Sequence, residues 1–183
     1  TTEIYTLSLH DALPICSAPL SGGPDMLIRV STKADMAAVD ALLARTYPKL
    51  LKADYPPSVL VTALPIISRA RPELLVCGTY YVAEEDGAIL GAGGWTPDAE
   101  NKSLGHIRHV VTDDRALRRG IGRGLMERSF SVARAAGVTR MECWATRTAV
   151  PFYEAVGFEV IGPIDVTLAG GIVFPSVRMM RDL

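Results

Sequence analysis

Cysteine is scarce: Cys16, Cys77 and Cys143 are the only three in 183 residues. They are too scattered for a disulfide framework and lack the paired spacing of structural zinc, so no metal is expected and a reducing cytoplasm fits best. An excess of basic charge is also missing. Nineteen Lys and Arg face twenty Asp and Glu, a net charge of −1, which leaves no global field to hold nucleic acid or an acidic membrane. No apolar stretch approaches the ~20 residues that span a bilayer. Aromatic residues make up 7% of the chain, and its sixteen Gly and twelve Pro are spread rather than massed. What remains, 49% hydrophobic and 21% charged residues, is the composition of one globular domain with an ordinary core.

Residues 1–25 differ from the rest. They hold Glu3, Asp11 and Asp25 but no Lys or Arg, so without them nineteen basic residues face seventeen acidic ones, a net of +2. The stretch LSLHDALPIC is apolar, yet it lacks a basic leader and is interrupted by His10, Asp11 and Pro14, which argues against a signal peptide. TTEIYTLSLHDALPI looks like translated sequencing-adapter read-through, and SAPLSGGPD (17–25) reads as a flexible linker. The expectation is a disordered tail over 1–25, a start at Met26 and one domain over 26–183.

From Met26 onward, hydrophobic period sorts the elements. A short strand over 27–30 precedes Thr32 and Asp35, which have capping-box spacing. Met36, Val39, Leu42 and Leu43 then predict a helix over 33–45 that Tyr47 and Pro48 end. A second helix is predicted over 58–70, with Pro65 inside its pattern. Strands over 79–84 and 88–95 flank Asp86-Gly87 as a hairpin, and another follows over 104–112. A helix to about Ala136 is closed by Gly137; a strand (138–145), a short helix (149–156) and strands over 158–162 and 172–181 complete the chain. The predicted order is β-α-α-β-β-β-α-β-α-β-β.

The segment RRGIGRGL (118–125) sets Gly120, Gly122 and Gly124 at alternate positions where a strand gives way to a helix. Without Cβ atoms the backbone can approach an anion, the free amides of the first helical turn point outward, and the helix dipole adds to their pull. Arg118, Arg119 and Arg123 add charge-assisted donors. A Walker loop is excluded because no Gly-Lys-Ser/Thr follows. The dinucleotide fingerprint wants its third Gly one residue after Gly124, although Glu142, 22 residues past Gly120, stands near where a ribose-binding acid would sit. A Gly-rich turn with solvated arginines is the third reading.

HVVTDDRALRRGIGRGLM (109–126) and TAVPFYEAVGF (148–158), together with the element order, resemble the GCN5-related N-acetyltransferase (GNAT) family over about Met26 to Leu183. The resemblance implies an α/β fold with a mixed, mostly antiparallel central sheet flanked by helices. It also implies an R/Q-x-x-G-x-G/A loop that holds the pyrophosphate of acetyl-CoA. Gly120 and Gly122 are taken as its Gly pair, so that Leu117 replaces the expected Arg or Gln; the other register uses Arg119, Gly122 and Gly124. The main-chain amides of Ile121 and its neighbours then bind the diphosphate. Asp113 stands where the family often has Pro. Phe152, Tyr153, Gly157 and Phe158 match the family's F/L-Y-x-x-x-G-F signature, which implies that Tyr153 protonates the departing thiolate. A Tyr that packs its ring and hydrogen-bonds a carbonyl is the structural alternative. Thr146 and Thr148 occupy the positions of an Asn that contacts the cofactor in many members, and Thr148 is expected to cap the helix with Pro151 in its first turn. Backbone groups of Val110 and Val111 are expected to pair with the pantetheine amides and to face the developing oxyanion.

Transfer to an amine needs a base. His106, His109, Glu142 and Glu84 or Glu85 are available, and His109 is preferred because it shares the strand face of Val111, whereas His106 faces away unless a bulge intervenes. Arg108 is left between a salt bridge and an acidic acceptor. The acceptor surface is expected from 33–70, from Gly93 to Trp95 and from Gly170 to Phe174, with Tyr47, Tyr55 and Trp95 as candidate liners, while Cys77 and Cys143 are expected to pack inside. The expected activity is acetyl-CoA-dependent transfer to a primary amine of a small molecule or peptide by direct attack in a ternary complex. The alternatives are a non-catalytic acyl-CoA sensor of the same fold and a dinucleotide-binding protein. No nucleic-acid or membrane partner is expected, and the oligomeric state stays open, a dimer included.

Overall fold

The structure, a computed structural model, describes residues 26–183; the tail expected over 1–25 lies outside them. Strand β1 (Leu27–Val30) is short, and its Arg29 forks onto Asp35 at 2.8 and 2.9 Å and onto Glu84 at 2.8 Å, which pins the first strand to the second. Asp35 accepts the Thr32 amide at 2.7 Å, as the capping spacing predicts. Helix α1 (Met36–Leu51) does not stop at Tyr47; it runs through Pro48. Tyr47, Leu50 and Leu51 all line a cavity, and the apolar surface they withdraw from water, Leu51 most fully, offsets the hydrogen bond that Pro48 cannot donate. Helix α2 (Pro57–Ile67) ends three residues before the predicted limit and accommodates Pro65. A one-turn helix, α3 (Pro72–Leu75), was not expected; it buries Leu74 and Leu75.

The predicted hairpin is formed by β2 (Tyr80–Glu85) and β3 (Ala88–Pro97), with Asp86 and Gly87 both at positive φ, the geometry that a tight two-residue turn requires. Strand β4 (Leu104–Thr112), helix α4 (Ile121–Ala135), strand β5 (Arg140–Ala145) and helix α5 (Val150–Ala155) follow as predicted to within two residues. Strands β6 (Glu159–Thr167) and β7 (Val173–Asp182) close the chain. β6 is longer than predicted because it passes a register shift between Val160 and Gly162, which lets Pro163 sit in a strand.

The seven strands form one sheet in the order β1-β2-β3-β4-β5-β7-β6, antiparallel throughout except for β4 beside β5. The expected mixed, mostly antiparallel sheet flanked by helices is what the chain adopts. Side-chain alternation splits the core. Tyr81 and Ala83 join Ile121, Leu125, Phe130, Met141 and Phe158 under α4, while Tyr80 and Val82 join Val39, Leu42, Leu43 and Leu75 under α1 and α3. Cys143 is buried as expected. Cys77 is exposed, against expectation, because it lies in the turn between α3 and β2 just before Gly78, whose φ is +84°.

Candidate active site

β4 and β5 pair over only three positions, Leu104 with Arg140, Gly105 with Met141 and His106 with Glu142. Beyond His106 the two strands part, and a cavity of about 610 Å³ opens where they diverge. Residues 106–112 of β4, 142–145 of β5 and Thr146 just after it line the cavity, as do Tyr47 and Arg71 from the helical side and Phe174 from β7. Val110 and Val111 are thus at the edge where a ligand could add as a strand.

On its other side β4 is bulged. Gly94 pairs with Arg108 and Ala92 with Val111, so His109 and Val110 together face Gly93. His109 takes a left-handed φ of +41°, and the Tyr80 hydroxyl donates to its carbonyl at 2.8 Å. A Cβ on Gly93 would lie 3.0 Å from the Val110 side chain, so this opposing position has little room for a side chain. The extra residue changes the strand's parity, and both His106 and His109 line the cavity. Sequence spacing alone had separated them.

The two imidazoles sit in opposite surroundings. Burial, and then the charges of Arg71 and Arg108, push His109 down to about 4, so it is neutral at pH 7. His106 instead lies between carboxylates, with Nε2 2.8 Å from Asp98 and Nδ1 3.5 Å from Glu142. Burial works against ionisation of Glu142, but donation from Trp144 at 3.0 Å and Arg178 at 2.5 Å outweighs it and holds its pKa below the usual range. The amides of Asn101 and Glu100, together with His106, hold Asp98 down to about 2. Glu84 and Glu85 are not brought to the cavity: one pairs with Arg29 and the other with Arg119.

The glycine turn has the local geometry that its composition predicts. Gly120 (φ +79°) precedes α4 in the left-handed region, with Arg118 (φ +63°) two residues before it. Gly124 donates its amide to the Gly120 carbonyl at 2.9 Å. Among the described residues no acceptor is found for the amides of Gly120, Ile121, Gly122 and Arg123. A Cβ on Gly122 would lie 3.0 Å from the Phe152 ring and 3.4 Å from Thr112 Oγ1, both lining the cavity. Gly124 has another task, since a Cβ there would meet Ile28 at 2.8 Å; it lets α4 approach β1. Ile121 is 1% exposed, so only its main chain is available to a ligand. The arginines are unequal. Arg119 is bound to Glu85 at 2.6 and 3.1 Å and Arg123 reaches the Ala155 carbonyl at 3.3 Å, whereas Arg118 has no side-chain partner among the described residues. Asp113 caps the preceding turn by accepting the Arg115 amide at 2.9 Å, which explains how the turn forms without Pro.

Tyr153 on α5 is 7% exposed and packs edge-on to Phe152 and Phe158 at ring separations of 5.2 and 5.4 Å. It lines the cavity, its hydroxyl has no hydrogen bond among the described residues, and burial raises its pKa well above 10. Tyr47 lines the cavity too and is pushed up to about 12 by burial. Thr146, not Thr148, is the local cap: its hydroxyl accepts the Ala149 amide at 3.2 Å, while Thr148 donates to Asp54 at 2.6 Å. The short 3-10 turn over Arg147–Ala149 ahead of α5 moves the start of the helical segment upstream and so moves the cap. Tyr55 and Trp95 are core residues, each 3% exposed. Tyr55 stacks on Phe174 at 4.7 Å, donates to the Pro175 carbonyl and accepts the Arg147 amide, both at 2.8 Å. Arg71, Tyr80 and Asp98 were not singled out by sequence reasoning; each depends on partners brought by the fold, and no local signal could have found them.

A sheet that splays beside a parallel βαβ unit, with a glycine-built helix start packed against Thr112 and Phe152 of the cavity wall and a buried tyrosine in that wall, defines a GNAT-like fold. The dinucleotide reading needs a doubly wound parallel sheet, and among the described residues only β4 and β5 run parallel. Residues 77–160 match the acetyltransferase (GNAT) domain family. The fold is similar to that of a GCN5-related N-acetyltransferase from Rhodopseudomonas palustris (TM-score 0.70, 16% identity, covering 91% of this chain and 100% of that one). It is similar as well to the PaiA N-acetyltransferase from Thermoplasma acidophilum in complex with coenzyme A (TM-score 0.68, 13% identity, 87% and 99%). A third likeness is to N-acetylglutamate synthase from Neisseria gonorrhoeae complexed with coenzyme A and N-acetyl-glutamate (TM-score 0.59, 17% identity, 89% and 36%). No curated protein matches in sequence. The segment over residues 77–160 is thus a GNAT acetyltransferase domain by its sequence match, and the whole described chain has the fold of that family. Among the described residues no helix is long and apolar enough to cross a membrane, and no group of three or more His, Cys, Asp or Glu is placed to hold a metal ion.

Proposed function

We propose that the protein transfers an acetyl group from acetyl-CoA to a primary amine by direct attack in a ternary complex. One juxtaposition carries this reading. The cavity between β4 and β5 has in its wall Thr112 and Phe152, against which Gly122 of a helix start with acceptor-free amides packs, and a tyrosine hydroxyl that is also without a partner among the described residues. The amides of Gly120, Ile121, Gly122 and Arg123 would take the diphosphate, and Arg118 would screen its charge; Arg119 and Arg123, already engaged, would contribute less. The complexes of similar folds with coenzyme A support this choice of donor. Val110 and Val111 present main-chain groups along the divergent edge to pantetheine amides, and Thr146 and Thr148 border the same space.

Acetyl-CoA would supply an activated acyl group as a thioester. The amine nitrogen bonds to the carbonyl carbon, the carbon–sulfur bond breaks, and the sulfur leaves with a proton from Tyr153. The desolvation that raises the tyrosine pKa keeps Tyr153 protonated and ready to donate; the transfer moves the negative charge from sulfur to the phenol oxygen, which then regains a proton from solvent or from the base that deprotonated the amine. His109, neutral and facing the cavity, takes the proton that the amine loses, directly or through water. A second reading assigns this task to His106, because Asp98 and Glu142 on either side of it favour the imidazolium that results.

Release of free thiol from acetyl-CoA in the presence of an amine panel tests the proposal. Turnover is expected, and Tyr153→Phe should lower kcat about 100-fold with little change in the KM for acetyl-CoA. Binding of acetyl-CoA with no transfer to any amine would make the protein a sensor of the same fold; no binding at all would remove the reading. His109→Ala should cost more activity than His106→Ala, and the reverse order would move the base to His106.

A further inference from the structure

The acceptor end of the cavity carries a positive charge that the protein leaves unanswered. Arg108, on β4 just before the bulge, lines the cavity half-buried, and among the described residues its only side-chain hydrogen bond is to the Thr96 hydroxyl at 2.9 Å. Among the described residues no carboxylate lies within salt-bridge distance of it. The two carboxylates whose charges it feels, Glu142 and Asp98, are already engaged, one by Arg178 and Trp144 and the other by His106. Arg71 lines the same cavity from the α2–α3 connection, and its charge bears on Arg108 and on His109. Its nearest carboxylate is Glu73 at 3.9 Å, on an exposed surface. A withdrawn guanidinium with one neutral partner is costly unless a ligand completes it. The same cavity has an apolar lining that includes Leu50, Ile66, Ile67 and Leu74.

The geometry points to an acceptor that carries a carboxylate on an apolar body, an amino acid with a branched aliphatic side chain being the simplest such amine, with Arg108 and Arg71 holding the carboxylate. This inference rests on the transferase reading and names its substrate class. Guanidinium and carboxylate match in a planar, two-bond geometry. An anion at that place also offsets the two charges that disfavour a proton on His109. A plain alkylamine leaves Arg108 unanswered, and the rejection of ligands that fail to satisfy a withdrawn polar group is the stronger kind of selectivity.

The test compares two acylated compounds that differ only in the carboxylate, N-acetyl-leucine and N-(3-methylbutyl)acetamide, titrated calorimetrically into the CoA-saturated protein. N-acetyl-leucine is expected to bind at least about tenfold tighter, which is about 1.4 kcal/mol. Arg108→Gln should reduce that preference to less than about twofold while coenzyme A still binds with wild-type affinity, which shows that the variant is folded; Arg71→Gln should reduce it partly. Equal binding of the two compounds, a preference that survives both variants, or no binding of either to the CoA-loaded protein would overturn the inference and leave the transferase reading standing. Failure to bind coenzyme A would remove that reading, and this one with it.

Discussion

Asp113 is a carboxylate kept charged where little water reaches it. It is 1% exposed, accepts the Arg115 amide at 2.9 Å, and holds the guanidinium groups of Arg115 at 3.0 Å and Arg45 at 2.5 Å. The Arg115 hydrogen bonds lead in pulling its pKa down to about 2, against a desolvation cost that works the other way. The unfolded chain titrates near ~3.9. Because the folded value is the lower one, the stabilisation is fully present above ~4 and is lost as pH falls through the folded value, an effect on the order of 2 kcal/mol. Urea unfolding between pH 5 and pH 2 should therefore show falling stability, and Asp113→Asn should be less stable at pH 7 with a shallower acid slope. Asp35, held down to about 2 by Arg29, keeps the remaining slope alive in that variant. An unchanged slope would mean that the Arg45–Asp113–Arg115 group is not the acid-sensitive element. Nothing in the sequence shows this group, because Arg45 lies on α1, 68 positions away. Tyr153 and Gly122 could be named as candidates at this scale because their spacing belongs to one segment; Asp98 beside His106 and Arg119 beside Glu85 could not, because the fold brings those pairs together.

At the scale of elements, the start of α4 divides its glycines between two tasks. Gly122 faces Phe152 and Thr112 at the cavity wall, whereas Gly124 faces Ile28 in the first strand. Gly122→Val should therefore raise the KM for acetyl-CoA about tenfold or more and change kcat little, while Gly124→Ala should lower thermal stability by about 1 kcal/mol and leave that KM unchanged. Steady-state kinetics and melting curves on the pair separate the roles, and a KM effect confined to Gly124→Ala would exchange them. The hairpin at Asp86-Gly87 and helix α4 were legible because local turn chemistry and hydrophobic period act within a dozen residues. Helix α1 overran its predicted end because the reward for continuing, burial of Leu51 against Leu60 and Phe174, lies in distant elements. The bulge at His109 was legible only as a condition. What fixes it is the Tyr80 hydroxyl from β2 and the bare Cα of Gly93, and neither announces a bulge in one dimension.

For the whole molecule, the cavity is where the sheet's own hydrogen bonding fails. β4 and β5 separate after three residue pairs, so their facing edges are joined only at one end. The other end is closed indirectly: Tyr55 ties the segment after α1 to β7 and to Arg147, and Thr148 is tied to Asp54. A ligand that adds to the open edge as a strand would cross-link the two halves and bind the folded state alone. Ligand at a hundredfold excess over its Kd then adds about 2.7 kcal/mol. In a domain of this size each kilocalorie moves the melting temperature by roughly 2–4 °C, so coenzyme A should raise Tm by about 5–10 °C. NAD carries a diphosphate too, but it has no pantetheine arm to lie along Val110 and Val111, and it should produce no comparable shift. Differential scanning calorimetry with each compound decides the matter. Equal shifts would mean that the glycine turn alone supplies the binding, with the splayed strands contributing nothing, whereas a shift with coenzyme A that Gly122→Val abolishes would show that the turn and the open edge hold one ligand between them.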